Sequence, residues 1–382
     1  MNARTPPTGS FIAHLNHSFD SVNYLLVLRA KQEADENDGM RAVTITPGKK
    51  DSLRLVDDAP EPPEAEGPVL VEALAVGVCG TDREIIAMDY GEAPPGEDTL
   101  ILGHESLGRV LADPTATFQP GDLVAGIVRH PDPVPCANCA VGEWDMCRNG
   151  RYTECGIKAR HGFARERWRV EPHFAVGLDP GLAGVGVLLE PTSVVAKAWE
   201  HIAAIGSRAH WEPQTVLVTG AGPVGLLAAL LGTQRGLTAH VLDRATDGPK
   251  PELTARLGAT YHTGQVSDLD FEPDIVVECT GAPPVVVQVI DKVGPDGVVC
   301  LTGVSSAGGQ VGIGASTLSR AVVLENNAVF GSVNANRRHW NAAAEALGRA
   351  DREWLAGLIT RRVPVDAYAE AYAPGTGTSR WS

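Results

Sequence analysis

Cys79 and His104 each stand beside a glycine and close to an acid, in Cys79-Gly80-Thr81-Asp82 and Gly103-His104-Glu105. A thiolate and a neutral imidazole together suit a borderline-soft divalent ion, zinc above all. Glu190 lies in Leu188-Leu189-Glu190-Pro191, where a lone carboxylate is costly to bury unless it is paired or metal-bound. Cys79, His104, Glu105 and Glu190 thus make a candidate zinc site. Taken singly, each is more readily a core residue, the cysteine as a small hydrophobe and the histidine satisfied by backbone. The set gains weight only if the chain also supplies something for a metal to react with.

That partner is legible at Gly220-Ala221-Gly222-Pro223-Val224-Gly225, between the apolar run Thr215–Thr219 and an Ala/Leu-rich stretch reaching Thr233. Gly220, Gly222 and Gly225 allow a tight turn, close approach of backbone to a pyrophosphate, and close helix–strand packing. The helix start, with Pro223 and Val224, offers free N–H groups to the phosphates. Asp243 ends the next apolar run and is placed for the ribose hydroxyls of NAD, while Arg244 beside it could receive the 2′-phosphate of NADP. The acid favours NAD. A glycine-rich turn with no ligand is the bland alternative, and the flanks argue against it.

A second metal signal is Cys136-x-x-Cys139, followed by Cys147 and Cys155. A Cys-x-x-Cys pair grips one ion from a single turn, and two further ligands complete a tetrahedron. Cys147 is the third ligand, and the fourth is Cys155 by spacing or Asp132 from the preceding loop. Four protein ligands leave no open position, so such a zinc is structural. The alternative is a set of reduced thiols without metal.

The elements that must position these groups divide the chain. Residues 1–39 read as a weakly ordered appendage, with a short amphipathic helix between Phe11 and Ala34. Residues 40–188 are β-rich, with short alternating runs such as Arg41–Ile45, Val69–Val76 and Leu123–Val128 separated by turns like Gln119-Pro120-Gly121-Asp122. From 189 to 335 strands and helices alternate, which predicts a parallel doubly wound sheet. Residues 336–382 hold two amphipathic helices, about 337–349 and 351–360. The fold class is therefore α/β.

The totals agree with an enzyme. The chain has 382 residues, 43% hydrophobic and 21% charged, with a net charge of −15. That balance argues against nucleic-acid binding, which needs a basic face. No apolar run approaches the roughly 20 residues that span a bilayer. The N-terminal apolar run is too short for a signal peptide, so a cytoplasmic location is expected. Seven cysteines, an odd number with several closely spaced, point to metal rather than disulfides.

With these features together, the sequence resembles the zinc-containing medium-chain dehydrogenase/reductase superfamily, and within it the glucose dehydrogenase branch. The resemblance is carried by Val78-Cys79-Gly80-Thr81-Asp82-Arg83-Glu84, Leu100-Ile101-Leu102-Gly103-His104-Glu105, Gly121-Asp122-Leu123-Val124, Gly162-Phe163-Ala164, Leu189-Glu190-Pro191 and Gly331-Ser332-Val333-Asn334. It runs from Met40 almost to the C-terminus. It implies a GroES-like catalytic domain split around a Rossmann domain, with the active site between them and a homo-oligomer, dimer or tetramer. It implies Cys79, His104 and Glu105 at catalytic zinc, with Glu190 as metal ligand or sugar contact. Thr81, Glu154 and Asn334 match sugar-contacting positions. Thr302, Gly303 and Val304, and the segment from Ser332 to Asn334, match backbone beside the nicotinamide. The implied reaction is oxidation of an aldose, glucose foremost, at C1 to the lactone by hydride transfer to NAD(P), with Thr81 handling the hydroxyl proton.

Two departures stand out. The first of the branch's four structural cysteines falls here at Pro133, and Cys155 aligns with no family ligand. The family also continues past a segment like Ala371–Pro374 into a final strand, where this chain reads Gly375-Thr376-Gly377-Thr378-Ser379-Arg380-Trp381-Ser382, and a less stable catalytic domain is expected. Other readings are a dehydrogenase of another polyol or simple alcohol, and a zinc-free NAD(P)-binding regulatory protein, which the intact Cys79/His104/Glu105 set opposes.

Overall fold

The computed structural model describes residues 24–28, 39–304 and 315–373. Two domains divide them. The β-rich one is built on strands β1 (Tyr24–Val27), β2 (Met40–Ile45), β3 (Arg54–Ala59), β4 (Val69–Val78), β5 (Leu100–Ile101), β6 (Glu105–Ala112) and β7 (Leu123–Gly126). It continues through β8 (Arg129–His130), β9 (Thr153–Cys155), β10 (Ala159–Arg160), β11 (Arg167–Val170) and β12 (Ala175–Leu178). Helix α1 (Gly80–Ile86) follows β4 directly, and the one-turn α2 (Ala137–Ala140) lies in the cysteine-rich lobe.

β4 is the spine of this domain. Its alternate residues Val69, Val71 and Ala73 are buried while their neighbours are half-buried, the period-2 pattern of a sheet with one packed face. β6 lies antiparallel along one edge of β4. Along the other edge β11 pairs with the first half of β4 and β1 with the second. The sheet order β12-β7-β6-β4-β1 ends on β19 (Arg361–Pro364), which returns from the far end of the chain.

Helix α3 (Leu189–Gly206) leads into the second domain. There β13 (Thr215–Thr219), β14 (Thr238–Leu242), β15 (Thr260–His262), β16 (Ile275–Glu278), β17 (Val298–Leu301) and β18 (Ala328–Gly331) form one parallel sheet. Its order is β15-β14-β13-β16-β17-β18, the dinucleotide-binding order that reverses direction at the first strand. The helices after α3 are α4 (Pro223–Thr233), α5 (Pro249–Arg256), α6 (Pro283–Lys292), α7 (Ala315–Leu324), α8 (Arg337–Arg349), α9 (Arg352–Gly357) and α10 (Tyr368–Tyr372), the last packed on β1 and β19 of the β-rich domain. Val216 and Val218 of β13 face the larger core, and Leu217 faces a second core on the opposite side. Both faces are covered, so the strands read as continuous apolar runs. The two helices expected near the C-terminus correspond to α8 and α9. Among the described residues no helix is long and apolar enough to cross a membrane.

The segment read as an appendage differs from expectation. Tyr24–Val27 is not helical; it lies between β4 and β19, antiparallel to the first and parallel to the second. Leu25, Leu26 and Leu28 are buried. A strand buried on both faces is an unbroken apolar run, which periodicity alone does not separate from a piece of helix. The rest of the expected helix and the run after Pro374 lie outside the described residues.

Leu26→Ala is expected to cost about 2–5 kcal/mol, as for other buried leucines. The thermal midpoint is the readout; an unchanged midpoint would place this segment outside the sheet.

Candidate active site

Cys79 leaves the end of β4 and caps the start of α1. His104 stands just before β6 and Glu105 opens it. The antiparallel register of β4 and β6 sets Glu105 opposite Gly77. A Cβ at residue 77 would fall 2.0 Å from Glu105 Oε2, so only glycine leaves the carboxylate this place. Cys79 Sγ is 3.1 Å from His104 Nε2. Ligand atoms of Cys79, His104 and Glu105 all lie within 4.8 Å of one another.

Asp82, fully buried, organises the group from behind. Its Oδ2 accepts the backbone N–H of Cys79 at 3.0 Å, and its Oδ1 lies 3.6 Å from His104 Nδ1. The latter is ion-pair distance and not a hydrogen bond, and both of its atoms are buried without a hydrogen-bond partner; a carboxylate on this side of the ring is the usual support of a metal-bound histidine. Tyr372 of α10 closes the same side; burial first, then the charges of Asp82 and Cys79, push its hydroxyl well above the usual range.

The charges of this group ask for a cation. Burial, followed by the charge of Glu190, pushes the Glu105 carboxyl up to about 8. Glu190, in the first turn of α3, is pushed up to about 7, chiefly by burial, with His104 opposing and Glu154 adding to the rise. Glu105 Oε2 is buried without a hydrogen-bond partner. Burial disfavours charge on His104, yet Cys79 and Asp82 hold its pKa well above the ordinary value. Neighbours that draw positive charge onto an imidazole equally suit a dication. A thiolate, an imidazole and a carboxylate are a zinc donor set, and with three protein ligands a position stays open, as in catalytic sites. Glu190 does not join the three within 4.8 Å but lies close enough for its charge to act on Glu105.

Thr81 is half-buried in the first turn of α1, between Cys79 and Asp82. Glu154 of β9 is buried and accepts from Arg129 Nε at 2.9 Å, Asn334 Nδ2 at 3.0 Å and Tyr90 Oη at 3.4 Å. Asn334, with φ of 59°, takes a left-handed conformation that asparagine tolerates. The structure thus brings Glu154 and Asn334 together across 180 residues, within electrostatic reach of Glu190.

The dinucleotide end is built by the glycine turn. Gly220 has φ of 89°, and a Cβ on Gly225 would fall 1.8 Å from Gly220 O, so the turn folds tightly onto the start of α4. Gly222 is the N-cap and Pro223 the first residue of that helix, with Val224 next. Asp243 follows β14 and accepts from Ala221 N at 2.7 Å and Ala245 N at 3.0 Å, while Lys250 Nζ lies 3.1 and 3.2 Å from its two oxygens. Arg244 is exposed beside it. Past the ends of β17 and β18, Thr302 Oγ1 and Gly303 N both donate to Glu278 O. Ser332 is buried, whereas Val304 and Val333 are 82% and 62% exposed, apolar faces turned outward beside the ends of the parallel strands.

In the lobe, Cys136, Cys139 and Cys147 bring their thiols within 4.8 Å. Arg148 N donates to Cys136 Sγ at 3.4 Å, and this N–H, then that of Cys139, lowers the Cys136 thiol to about 6. Such a cluster could hold a structural zinc. Among the described residues no fourth acid, histidine or cysteine joins it at that distance. Asp132 accepts from Val134 N at 2.9 Å and from Asn149 Nδ2. Cys155 lies in the core instead, with Sγ 3.8 Å from His130 Nε2.

The fold and donor set define a zinc-containing medium-chain dehydrogenase with a GroES-like catalytic domain and a Rossmann domain. Comparison with known proteins agrees. Residues 65–180 match the alcohol dehydrogenase GroES-like domain family and residues 183–380 the glucose dehydrogenase C-terminus family. The chain is 38% identical to a glucose 1-dehydrogenase of Methanocella arvoryzae and 42% identical to one of Vulcanisaeta moutnovskia, each over 87% of this chain and 95% of the relative. It superposes on a Haloferax mediterranei glucose dehydrogenase, solved in complex with NADP, Zn and gluconolactone, with a TM-score of 0.81 and 32% identity over 88% of this chain and 96% of that one. The protein belongs to the glucose dehydrogenase branch of this superfamily.

Asp82, Arg129, Lys250 and Tyr372 are site residues that spacing did not single out. Asp82 stands inside the Cys-Gly-Thr-Asp motif, and that neighbourhood was its only sequence signal. Asp82→Ala is expected to lower zinc affinity about 10–100-fold, as loss of a carboxylate behind a histidine ligand does. Cys79→Ala should abolish turnover with cofactor binding retained. Zinc titration followed by assay reads both, and wild-type zinc affinity in Asp82→Ala would remove that residue from the site.

Proposed function

We propose that this protein oxidises an aldose, glucose first among candidates, at C1 to the lactone, using zinc and preferring NADP with NAD as second acceptor. The observation that carries the reading is the Glu154 carboxylate, held by Arg129 and Asn334 beside Glu190 and the Cys79/His104/Glu105 group. A simple alcohol needs no further polar wall next to the metal donors. A polyhydroxylated ring does, since its hydroxyls must be paired when buried. The relatives' names and the gluconolactone of the Haloferax structure support the same substrate class.

Zinc held by Cys79, His104 and Glu105 would polarise the reacting hydroxyl, and the nicotinamide would take the hydride. The chain's own residues do the rest. Asp82 holds His104 in the ligating orientation. The Thr81 hydroxyl, in the first turn of α1, takes the proton that leaves the C1 hydroxyl as it gives its own outward to solvent. Glu154, Glu190 and Asn334 orient the ring hydroxyls, which fixes which carbon faces the nicotinamide. Val304 and Val333 offer exposed apolar faces on the nicotinamide side. Cys136, Cys139 and Cys147 would hold a second zinc in the lobe, remote from the reacting carbon, once a fourth ligand completes the tetrahedron.

The cofactor preference turns on Asp243. Both of its oxygens already take a backbone N–H and the Lys250 ammonium, which uses the lone-pair sites a ribose diol would need. Burial acts to raise its pKa, but the N–H groups of Ala245 and Ala221 and the Lys250 charge hold it lowered. Lys250 neutralises the acid and, with Arg244, can accept a 2′-phosphate. A cytoplasmic location, where thiols stay reduced, is part of the same proposal. Assembly as a dimer or tetramer belongs to the same proposal and is read by solution mass.

A panel of aldoses, polyols and simple alcohols, assayed with both cofactors on zinc-replete protein, tests this. The highest kcat/KM should fall on an aldose with NADP; a preference for a simple alcohol would overturn the sugar reading. Lys250→Ala should raise KM for NADP about tenfold, the worth of one charge-assisted hydrogen bond, with little change for NAD. Equal losses for both would contradict the assignment.

A further inference from the structure

Lys197 is a charged residue in the middle of α3, only 1% exposed. Burying an ammonium is costly unless every donor is paired. Its Nζ lies 2.8 Å from Asp145 Oδ2, 3.5 Å from Asp145 O and 3.0 Å from Val333 O. Those are one ion-pair partner, the Asp145 carboxylate, and two carbonyl acceptors. Two belong to the cysteine-rich lobe, since Asp145 precedes Cys147 by two residues. The third is the carbonyl just before Asn334.

From Asn334 the contacts continue until they close on themselves. Asn334 Nδ2 donates to Glu154 Oε1 at 3.0 Å. The same oxygen lies 2.9 Å from Arg129 Nη2 and accepts from its Nε at 2.9 Å. Arg129 Nη1 donates to Asp145 O at 3.3 Å. Lys197, Val333, Asn334, Glu154, Arg129 and Asp145 thus form a closed polar circuit through both domains and the lobe. Glu154, Arg129, Asp145 and Lys197 in it are buried.

We propose that Lys197 is a positioning residue for the sugar: by holding the Val333 carbonyl against Asp145, it sets where Asn334 presents its amide to Glu154. An ion pair serving stability alone would need only Asp145. The bond to Val333 O fixes the turn in which Asn334 adopts its left-handed conformation. Lys197 touches neither metal donors nor substrate, and it acts through the loop that does. This inference rests on the sugar reading above and adds to it a residue on the far side of the cleft wall.

The test is a double-mutant cycle on zinc-loaded enzyme between Lys197→Met and Asn334→Ala. Sugar KM and kcat, cofactor KM and thermal midpoint are measured for each variant. Lys197→Met should raise sugar KM about tenfold or more, within the roughly 100-fold that a misplacement of about 1 Å can cost, with far less change in cofactor KM. The double variant should be no worse than the weaker single variant, because both remove the same presentation of Asn334. Lys197→Arg, which keeps charge and donors, should recover part of the loss. Where Lys197→Met folds poorly, Lys197→Met/Asp145→Asn removes both charges and restores the thermal midpoint. The sugar KM should stay raised in it, since Val333 O still lacks its donor. Additive losses, or a sugar KM that returns to wild type along with the midpoint, would overturn the positioning role and leave the sugar reading standing. A wild-type enzyme inactive on every sugar of the panel would overturn both.

Discussion

The structure depends on burying negative charge. Glu105 and Glu190 are carboxylates removed from water, each raising the cost of ionising its surroundings, and a thiol and an imidazole stand against them. Such a group is stable as anions only around a cation. The surrounding scaffold serves that condition. Gly77 clears space for Glu105, Asp82 turns His104, and Tyr372 seals the back. A dication bound there turns an electrostatic liability into a Lewis-acid site.

The two domains divide the remaining work. The parallel sheet places the glycine turn and the ends of β17 and β18 at the carboxyl ends of its strands, where open α/β sheets receive their ligands. The β-rich domain brings the metal donors from β4, α1 and β6. Among the residues that bind them together are those of the circuit around Glu154, which meets Arg129 25 positions and Asn334 180 positions away in the chain. Within the β-rich domain, strand β1 ties β4 to β19, which returns from the chain's last part.

Much of this was legible in the sequence, and for identifiable reasons. The glycine turn and the Cys-x-x-Cys pair are local devices, so spacing alone exposes them. Cys79, His104 and Glu105 are legible because each sits at a strand end within a short motif. Glu190 was read as a ligand candidate from its apolar context, and the fold places it beside Glu105. Other features depend on three-dimensional neighbours. Lys250 and Lys197 read as ordinary helix lysines until their carboxylate partners are seen. Tyr24–Val27 looked like part of a helix because a doubly buried strand has no alternation. Cys155 had suitable spacing but points into the core.

The most direct measurement is turnover of glucose with NADP as zinc is stripped by a chelator and then titrated back. Activity should vanish with the metal and return in proportion to zinc bound, saturating when the Cys79/His104/Glu105 group is filled. Undiminished turnover in protein shown to lack zinc at that group would contradict the account.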